Sequence, residues 1–411
     1  MTVTIFRNAR LFDGASETLA EGMEVAVDGD LIKEVSTTPI TSGEADIVDC
    51  GARVLMPGMI DAHVHVYISG LSPASLARPL TYHAQYATGF LRHILACGFT
   101  TVRDVGGADV GLANALADGL LEGPRLFFGG HVISQTGGHG DSRHADEEIE
   151  CCGCRFAQMD FLSIVADGPD AVRWAVREEL RRGASHIKIM GSGGVMSPND
   201  PVDRCQFSEA EIAVAVEETT RWGAYVAAHC HPNEGVKRLA RLGVRSIEHG
   251  TLIDAEGARI AVEHGAFIVP TMATIFALLD NGPRLGMAPV SFAKLEAVAG
   301  RALEGLTIMH EAGVSMGFGT DLLGPLHGYQ GTEFTLRAKV LRPIQILRSA
   351  CQVNAALIGQ EGKLGCIAPG AYADLLVVDG DPLADISLLA RPSGAGLAAI
   401  MKAGAFLKRT I

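Results

Sequence analysis

The stretch MIDAHVHV, residues 59–66, ends an apolar run with two histidines, His63 and His65. Because side chains of a β-strand alternate between its two faces, both histidines point the same way, and Val64 and Val66 point the other way. Two imidazoles on one face at the end of a strand can bind a metal ion. They can also be packed histidines with no such role, so the rest of the chain has to decide.

The composition limits the classes of protein to consider. The 411 residues fit a barrel of about 250 residues with a smaller domain beside it. A net charge of −13 disfavours nucleic acid or an anionic membrane surface as the main partner. The longest uncharged apolar stretch, residues 265–279, is too short to cross a bilayer, and the N-terminal residues do not resemble a secretory signal. We expect a protein that contacts neither membranes nor nucleic acid.

The nine cysteines are an odd number spread over a long chain, which favours a reducing, cytoplasmic setting over a disulfide framework. Cys151, Cys152 and Cys154 have a spacing that can hold zinc. No second pair follows to complete four ligands, so a loop with reduced thiols is the preferred interpretation.

Both ends of the chain have strand patterns. Residues 2–12 and 23–35 alternate apolar and polar side chains, and residues 375–378 and 396–410 indicate further strands near the C-terminus. We therefore predict that residues 1–54 and 362–411 form one composite β-sandwich domain.

The middle of the chain, residues 55–361, repeats a short apolar strand followed by a helical pattern. One of the helices opens with Ser208 and Glu211, the spacing of a capping box. Eight strands that alternate with helices predict an α/β fold with a parallel (β/α)8 TIM barrel. The predicted strands are Leu55–Asp61, Thr100–Asp104, Leu126–Ile133, Ser185–Met190, Tyr225–Ala228, Ser246–Glu248, Ala266–Pro270 and Val314–Gly319.

Residues with metal-binding or acid–base chemistry follow most of these strands. In such barrels the chemistry collects at the C-terminal ends of the strands. Chance would rarely place so many useful side chains there, and the pattern favours a metal site. The residues are His63 and His65, His139, Lys188, His229 and His231, His249, and Asp321.

Lys188 lies inside an apolar run, between Ile187 and Ile189, where an isolated cation is costly. One explanation is an ion pair with Asp321 or Glu248. Another is a carbamate, formed when a neutral amine adds carbon dioxide, which supplies an anionic group able to bridge two metal ions.

This set of residues resembles the amidohydrolase superfamily with a binuclear metal centre. The segments MPGMIDAHVH, TTVRDVGG, IKIMGSGGV, RSIEHG and GTD resemble the imidazolonepropionase-related branch, which contains metal-dependent prolidases, Xaa-amino-acid dipeptidases and ochratoxin-hydrolysing amidohydrolases. The segment GKLGCIAPGAYADLLVVDGDPLADI is similar to that branch's C-terminal β-sandwich. The resemblance covers nearly the whole chain.

The resemblance implies a ligand set. His63, His65 and Asp321 would hold one ion, and His229 and His249 the other. Carboxylated Lys188 and a hydroxide would bridge them, and zinc is preferred for nitrogen and oxygen ligands. Asp321 would move the proton from water to the leaving amine, and His139, in a glycine-rich loop, is our candidate for stabilising the oxyanion.

One position departs from the branch, whose members often carry tyrosine two residues after the ligand of the fifth strand. Here that residue is His231, which we expect to contact the substrate. Substrates of the branch usually carry a carboxylate on the leaving amino acid. Arg143 and Arg204, in loops after the third and fourth strands, are candidates to bind it.

The leading hypothesis is a binuclear amide hydrolase that releases a C-terminal amino acid from a dipeptide or N-acyl amino acid, including ochratoxin-type amides. A cyclic-amide hydrolase of the imidazolonepropionase type is the alternative, although such relatives lack the bridging lysine. A non-catalytic barrel that binds a partner is a third hypothesis, and it leaves Asp321 unexplained. The resemblance also implies a homo-oligomer, up to an octamer.

Overall fold

The computed structural model describes residues 3–143, 161–197 and 199–411. Cys151, Cys152 and Cys154 lie outside these residues. The strands are β1 Val3–Leu11, β2 Ala20–Asp28, β3 Leu31–Ser36, β4 Ala45–Asp49, β5 Val54–Pro57, β6 Met59–Val64, β7 Phe99–Asp104, β8 Arg125–Phe128, β9 Val132–Ser134, β10 Ser163–Val165, β11 Ile187–Met190, β12 Val226–Pro232, β13 Ser246–Leu252, β14 Phe267–Val269, β15 Ser315–Met316, β16 Leu375–Val378, β17 Leu397–Lys402 and β18 Ala405–Arg409.

The helices lie mostly between the strands of the middle segment, as the repeating pattern predicts. They are α1 Pro73–Leu76, α2 Leu80–Ala96, α3 Val110–Ala117, α4 Pro169–Arg181, α5 Glu209–Trp222, α6 Asn233–Arg241, α7 Ala255–Glu263, α8 Met272–Asn281, α9 Pro289–Glu311, α10 Thr332–Arg337, α11 Pro343–Arg348 and α12 Asn354–Leu357. The predicted capping box opens α5: Ser208 N donates to Glu211 Oε2 at 2.7 Å, and Glu211 N donates to Ser208 Oγ at 3.4 Å. Within the described ranges, no helix combines the length and apolar character needed to cross a membrane.

Strands from both ends of the chain form one eight-stranded sheet, here called the terminal sheet. Its order is β18-β17-β16-β5-β1-β2-β3, and β4 pairs with β1. The C-terminal strand β16 lies between β17 and the N-terminal strand β5, antiparallel to both. The two ends of the chain are therefore held together by backbone hydrogen bonds.

The middle of the chain forms two parallel sheets, which confirms the α/β fold. One has the order β6-β7-β8 and the other β10-β9-β11-β12-β13-β14-β15. Backbone hydrogen bonds link the two sheets: Ala62 N in β6 donates to Phe318 O, just after β15, at 2.8 Å, and Ser185 N, just before β11, donates to Phe128 O in β8 at 2.9 Å. The carboxyl ends of these strands consequently face one common region.

The prediction of one strand over Leu55–Asp61 is wrong. The run divides at Gly58 into β5, in the terminal sheet, and β6, in a parallel sheet. A Cβ atom on Gly58 would lie 2.2 Å from Thr100 Oγ1, so the chain passes β7 too closely for a side chain. The third predicted strand, Leu126–Ile133, is likewise divided into β8 and β9.

Candidate metal centre

All six predicted metal ligands line one cavity of about 370 Å³, although they come from five separate strands or strand ends. They are His63 and His65 at the end of β6, Lys188 in β11, His229 in β12, His249 in β13, and Asp321 after β15. His139 and His231 line the same cavity. The structure therefore brings together every residue that the sequence singled out at the strand ends.

Asp321 lies against the two histidines of β6. Its Oδ1 atom is 3.4 Å from His63 Nε2 and 3.5 Å from His65 Nε2. His63, His249 and Asp321 also offer one ligand atom each within 4.8 Å of one another. Imidazole and carboxylate in this arrangement form a donor set that suits zinc.

A second group lies beside the first. His229, His231 and His249 offer one ligand atom each within 4.8 Å of one another, and all three side chains are buried. His249 belongs to both groups, so the two clusters are continuous. His231 was expected to contact substrate, and its place inside a ligand group was not expected.

Each imidazole has one ring nitrogen held by the protein, which leaves the other nitrogen for a ligand and fixes the ring. The partners are Glu248 for His63 Nδ1 at 2.7 Å, Gly106 O for His65 Nδ1 at 2.8 Å, Gly193 O for His229 Nε2 at 3.1 Å, Thr251 Oγ1 for His231 Nδ1 at 3.2 Å and Thr271 Oγ1 for His249 Nδ1 at 2.7 Å.

The electrostatics of the cluster suit cation binding. Burial lowers the pKa of His65 to about 4 and that of His229 and His249 well below the usual value, so these rings are neutral at pH 7. Burial also acts on His63, but Asp321 outweighs it and the pKa of His63 is raised. His63 lies between Asp321 and Glu248, where a metal ion can supply the positive charge that a proton supplies otherwise.

Glu248 holds the His63 ring in place through its contact with Nδ1. It is fully buried and accepts hydrogen bonds from Arg103 Nη2 at 2.8 Å and Ser246 Oγ at 2.6 Å. Burial raises the pKa of Glu248, but Arg103 and His63 outweigh it and hold the pKa well below its usual value. From the sequence Glu248 is expected only as a partner of Lys188, because its position beside His249 does not reveal which ring it reaches.

Lys188 has the protonation behaviour that a carbamate requires. Its side chain is 1% exposed, and burial lowers its pKa to about 8 although Glu248 and Asp321 act in the opposite direction. A large part of the amine is therefore neutral near pH 8, and a neutral amine can add carbon dioxide. The residues present thus fit two divalent ions and a carboxylated lysine.

Unusual backbone conformations direct two of these side chains into the cavity. His249 has φ of 74° and Asp321 has φ of 52°, in the left-handed region that non-glycine residues rarely occupy. Buried Asp61 secures the turn before Asp321, since Thr320 donates to it from N at 3.1 Å and from Oγ1 at 2.7 Å. Asp61 also accepts from His63 N at 3.2 Å, which couples the two ligand segments.

His139 reaches the cavity from the loop after β9 and stacks on His229, with ring centroids 4.3 Å apart. Its Nδ1 atom lies 2.6 Å from Ser197 Oγ and 3.2 Å from Asp200 Oδ2. Burial raises the pKa of Asp200, but the hydrogen bond from His139 outweighs it and the pKa is lowered. Asp200 is not predicted from the sequence, because the folded loop after β11 brings it to His139.

The two predicted arginines have different positions. Arg143 lines the cavity, and its Nε atom donates to Asp141 Oδ1 at 2.7 Å. Arg204 has a 75% exposed side chain beside Asp203 and is not among the residues that line the cavity. The structure therefore does not bring Arg204 to the predicted site.

Most of the other residues that line the cavity are apolar, and they are here called the apolar wall. Helices α8 and α9 and the segments after β6 and β15 supply most of it, and its members include Leu71, Ile275, Leu278, Leu295, Val298 and Leu323. A ligand in this cavity therefore meets both polar groups and hydrocarbon.

Comparisons with known proteins agree with this architecture. A model of the Amidohydrolase family matches residues 54–397. The ochratoxinase of Aspergillus niger is 33% identical over 356 residues, which cover 82% of this chain and 73% of that protein. The residues matched by the family model include all those of the candidate centre.

Solved structures superpose over almost the full length. A prolidase in complex with N-methylphosphonate-L-proline has a TM-score of 0.95 at 44% identity and covers 99% of this chain and 100% of that chain. An amidohydrolase structure has a TM-score of 0.96 at 45% identity and covers 99% of both chains.

Proposed function

The chain belongs to the amidohydrolase family and is a hydrolase of amide or peptide bonds. From that premise we propose that it uses two divalent metal ions to release a C-terminal amino acid from a dipeptide or N-acyl amino acid. The observation that carries the proposal is the convergence of six side chains, from five strands or strand ends, on one cavity. The prolidase and ochratoxinase relatives support amide substrates with an amino-acid leaving group.

His63, His65 and Asp321 would hold one ion, and His229 and His249 the other, with carboxylated Lys188 between them. Bound there, two zinc ions would lower the pKa of a water molecule and polarise the amide carbonyl. Lys188 would add negative charge to a site that otherwise offers one carboxylate and several neutral imidazoles.

Asp321 is the proposed general base. Burial raises its pKa, but His63 and His65 outweigh burial and keep the pKa below its usual value, so the group is a carboxylate at neutral pH. It would accept the proton of the attacking water and pass it to the leaving amine. His139 would donate a hydrogen bond to the oxygen that becomes negative at the former carbonyl, and Asp200 would hold the His139 ring for that contact.

We assign the apolar wall to the acyl part of the substrate. Leu71, Ile275, Leu278 and Leu295 offer no partner for a charged side chain, whereas a bulky aliphatic or aromatic group would bury apolar area there. Arg143, at the cavity, is the proposed contact of the leaving group's carboxylate.

The proposed function is tested with a panel of Xaa-amino acids and N-acyl amino acids, assayed for amine release with zinc and bicarbonate supplied. We expect turnover of substrates with bulky apolar acyl groups, and at least tenfold lower kcat/KM for matched lysyl or aspartyl substrates. The Asp321→Asn variant should lose about a thousandfold or more in kcat. Full turnover by this variant, or ring opening of an imidazolone in place of amine release, would refute the proposal.

The parallel sheets and the hydrogen bonds between them support a (β/α)8 barrel, and the terminal sheet supports a composite β domain. We also propose a homo-oligomer in the cytoplasm, the oligomer from family resemblance and the location from the cysteine content. Light scattering of the purified protein tests the oligomer.

A further inference from the structure

His231 lies where a ligand would lie. Its ligand atom is within 4.8 Å of those of His229 and His249. The rings of His231 and His249 stack at 4.9 Å with an interplanar angle of 19°, and the rings of His229 and His231 meet edge to face at 4.9 Å. This gives three imidazoles around one position.

The His231 ring is held in place. The side chain is 4% exposed, the backbone N donates to Ser192 Oγ at 3.1 Å, and Nδ1 is 3.2 Å from Thr251 Oγ1. With Nδ1 occupied, Nε2 is the nitrogen available to the cluster. His229 and His249 each have one nitrogen occupied in the same way, by Gly193 O and Thr271 Oγ1.

Three neutral imidazoles are a sufficient donor set for zinc, since catalytic zinc sites commonly use three protein ligands and leave a fourth position open. None of the three depends on Lys188. By contrast, an ion held by His63, His65 and Asp321 would depend on carboxylated Lys188, which would bridge it to the other ion.

We propose that His229, His231 and His249 form a three-imidazole site that holds one divalent ion in this chain before Lys188 is carboxylated. The ion at this site is bound in the absence of carbon dioxide, and the second ion requires the carbamate. This inference rests on the proposed two-metal centre, and it adds an order of assembly and a ligand that the family resemblance did not supply.

Metal retention in the absence of carbon dioxide tests the inference. The full-length protein is stripped with a chelator, exchanged into carbon-dioxide-free buffer, loaded with Zn²⁺ and desalted, and its metal content is measured. We expect about one ion per chain for the wild type and for Lys188→Met, and about two for the wild type alone after bicarbonate is added. His231→Phe, which keeps the flat ring, should bind the first ion at least tenfold more weakly in a chelator competition.

Two controls separate the three-imidazole site from its neighbour. His65→Asn should retain the first ion, because His65 lies outside the trio. In the wild type, one equivalent of Co²⁺ without carbon dioxide should give a visible absorption spectrum that His231→Asn changes and His65→Asn does not. A wild type that retains no ion without carbon dioxide, or a His231→Phe variant that binds the first ion like the wild type, would overturn the inference.

The same preparations distinguish this inference from the proposed function. Amide hydrolysis is assayed with bicarbonate present, where both ions are bound. A protein that retains one ion but hydrolyses no amide would refute the proposed function alone, whereas an active protein that binds no ion without carbon dioxide would refute the three-imidazole site alone.

Discussion

Lys188 is the residue whose protonation state would control completion of the proposed two-metal centre. Only a neutral amine adds carbon dioxide, and burial lowers the pKa of this amine to about 8 from 10.5. Because the pKa is lowered, the reactive neutral form appears at lower pH than for an exposed lysine.

We therefore expect a specific pH dependence of reactivation. When metal-free, carbon-dioxide-depleted protein receives metal and a fixed concentration of dissolved carbon dioxide, the initial rate of activity recovery should rise about eightfold from pH 6.5 to 7.5 and about threefold more to pH 8.5, following the neutral fraction. A lysine with an ordinary pKa would instead give about tenfold at each step. Lys188→Met should recover no activity at any pH.

Asp200 is predicted to position His139. In Asp200→Asn the carboxylate is lost. The amide that replaces it can pair with either tautomer of the His139 ring, so the productive orientation of the ring is no longer enforced. We expect kcat to fall about 10- to 100-fold while KM stays within about twofold, and Asp200→Glu to recover part of the loss. A purely structural role would instead lower the melting temperature and leave kcat of the folded fraction unchanged.

At the residue scale, sequence reasoning located the proposed ligands but not the residues that support them. His63, His229, His249 and Asp321 each follow an apolar strand, and parallel strands bring such positions to one edge, so their proximity follows from the fold class. Asp200 acts through a loop conformation that no periodicity encodes. The positive φ angles of His249 and Asp321 are equally invisible to pattern reasoning.

Among the elements, the loop after β11 limits how the His139 ring can pack. A Cβ atom on Gly194 would lie 2.2 Å from His139 Cε1. Gly194→Ala should displace the ring and reduce kcat by about the same factor as His139→Asn, with metal content unchanged. The control is Gly300→Ala in α9, where a Cβ meets open space: activity should be unaffected and stability should rise by about 0.5–1 kcal/mol.

Helix α10 secures the ends of β14 and β15 through a buried ion pair. Arg337 Nε donates to Glu333 at 2.6 Å, and Arg337 Nη2 donates to Pro270 O and Gly317 O at 2.7 and 2.8 Å. Both side chains are fully buried. The pair thereby joins two strands that lead to the cavity.

Arg337→Met should lower the free energy of unfolding by about 3–5 kcal/mol, because it leaves the Glu333 carboxyl buried without its cation. Adding Glu333→Leu to this variant should recover part of the loss, since the unpaired acid is then absent. Denaturant unfolding of the four proteins in this cycle measures the coupling. Additive effects of the two substitutions would show that the pair acts as two independent residues.

Element boundaries were predicted less well than element types. The alternation of strands and helices was largely correct because it follows from apolar periodicity, but β9 follows β8 with no helix between them, and β10 was not predicted. The division of residues 55–61 between two sheets was missed, since β5 and β6 are both fully buried and the apolar run continues through the boundary. The strand pairing reveals it, and the close approach of Gly58 to β7 agrees with it.

For the whole molecule, the terminal sheet and the parallel sheets share one hydrophobic core. A single cluster of buried side chains includes Met56, Leu376 and Ile400 from the terminal sheet and Phe99 and Val102 from β7. A core that crosses between the two parts makes the stability of each depend on the other.

We therefore expect the two parts to unfold in one transition. Cys50, which follows β4 in the terminal sheet, and Cys230, in β12, are both fully buried, so pulsed thiol labelling with mass spectrometry reports each part by the same chemistry. Their labelling midpoints on heating should coincide. Leu376→Ala, which removes side-chain volume from the shared core at a cost of about 2–5 kcal/mol, should lower both midpoints equally. If Cys50 became reactive while Cys230 stayed protected, the terminal sheet would be an independently unfolding unit and the shared core would contribute little to its stability.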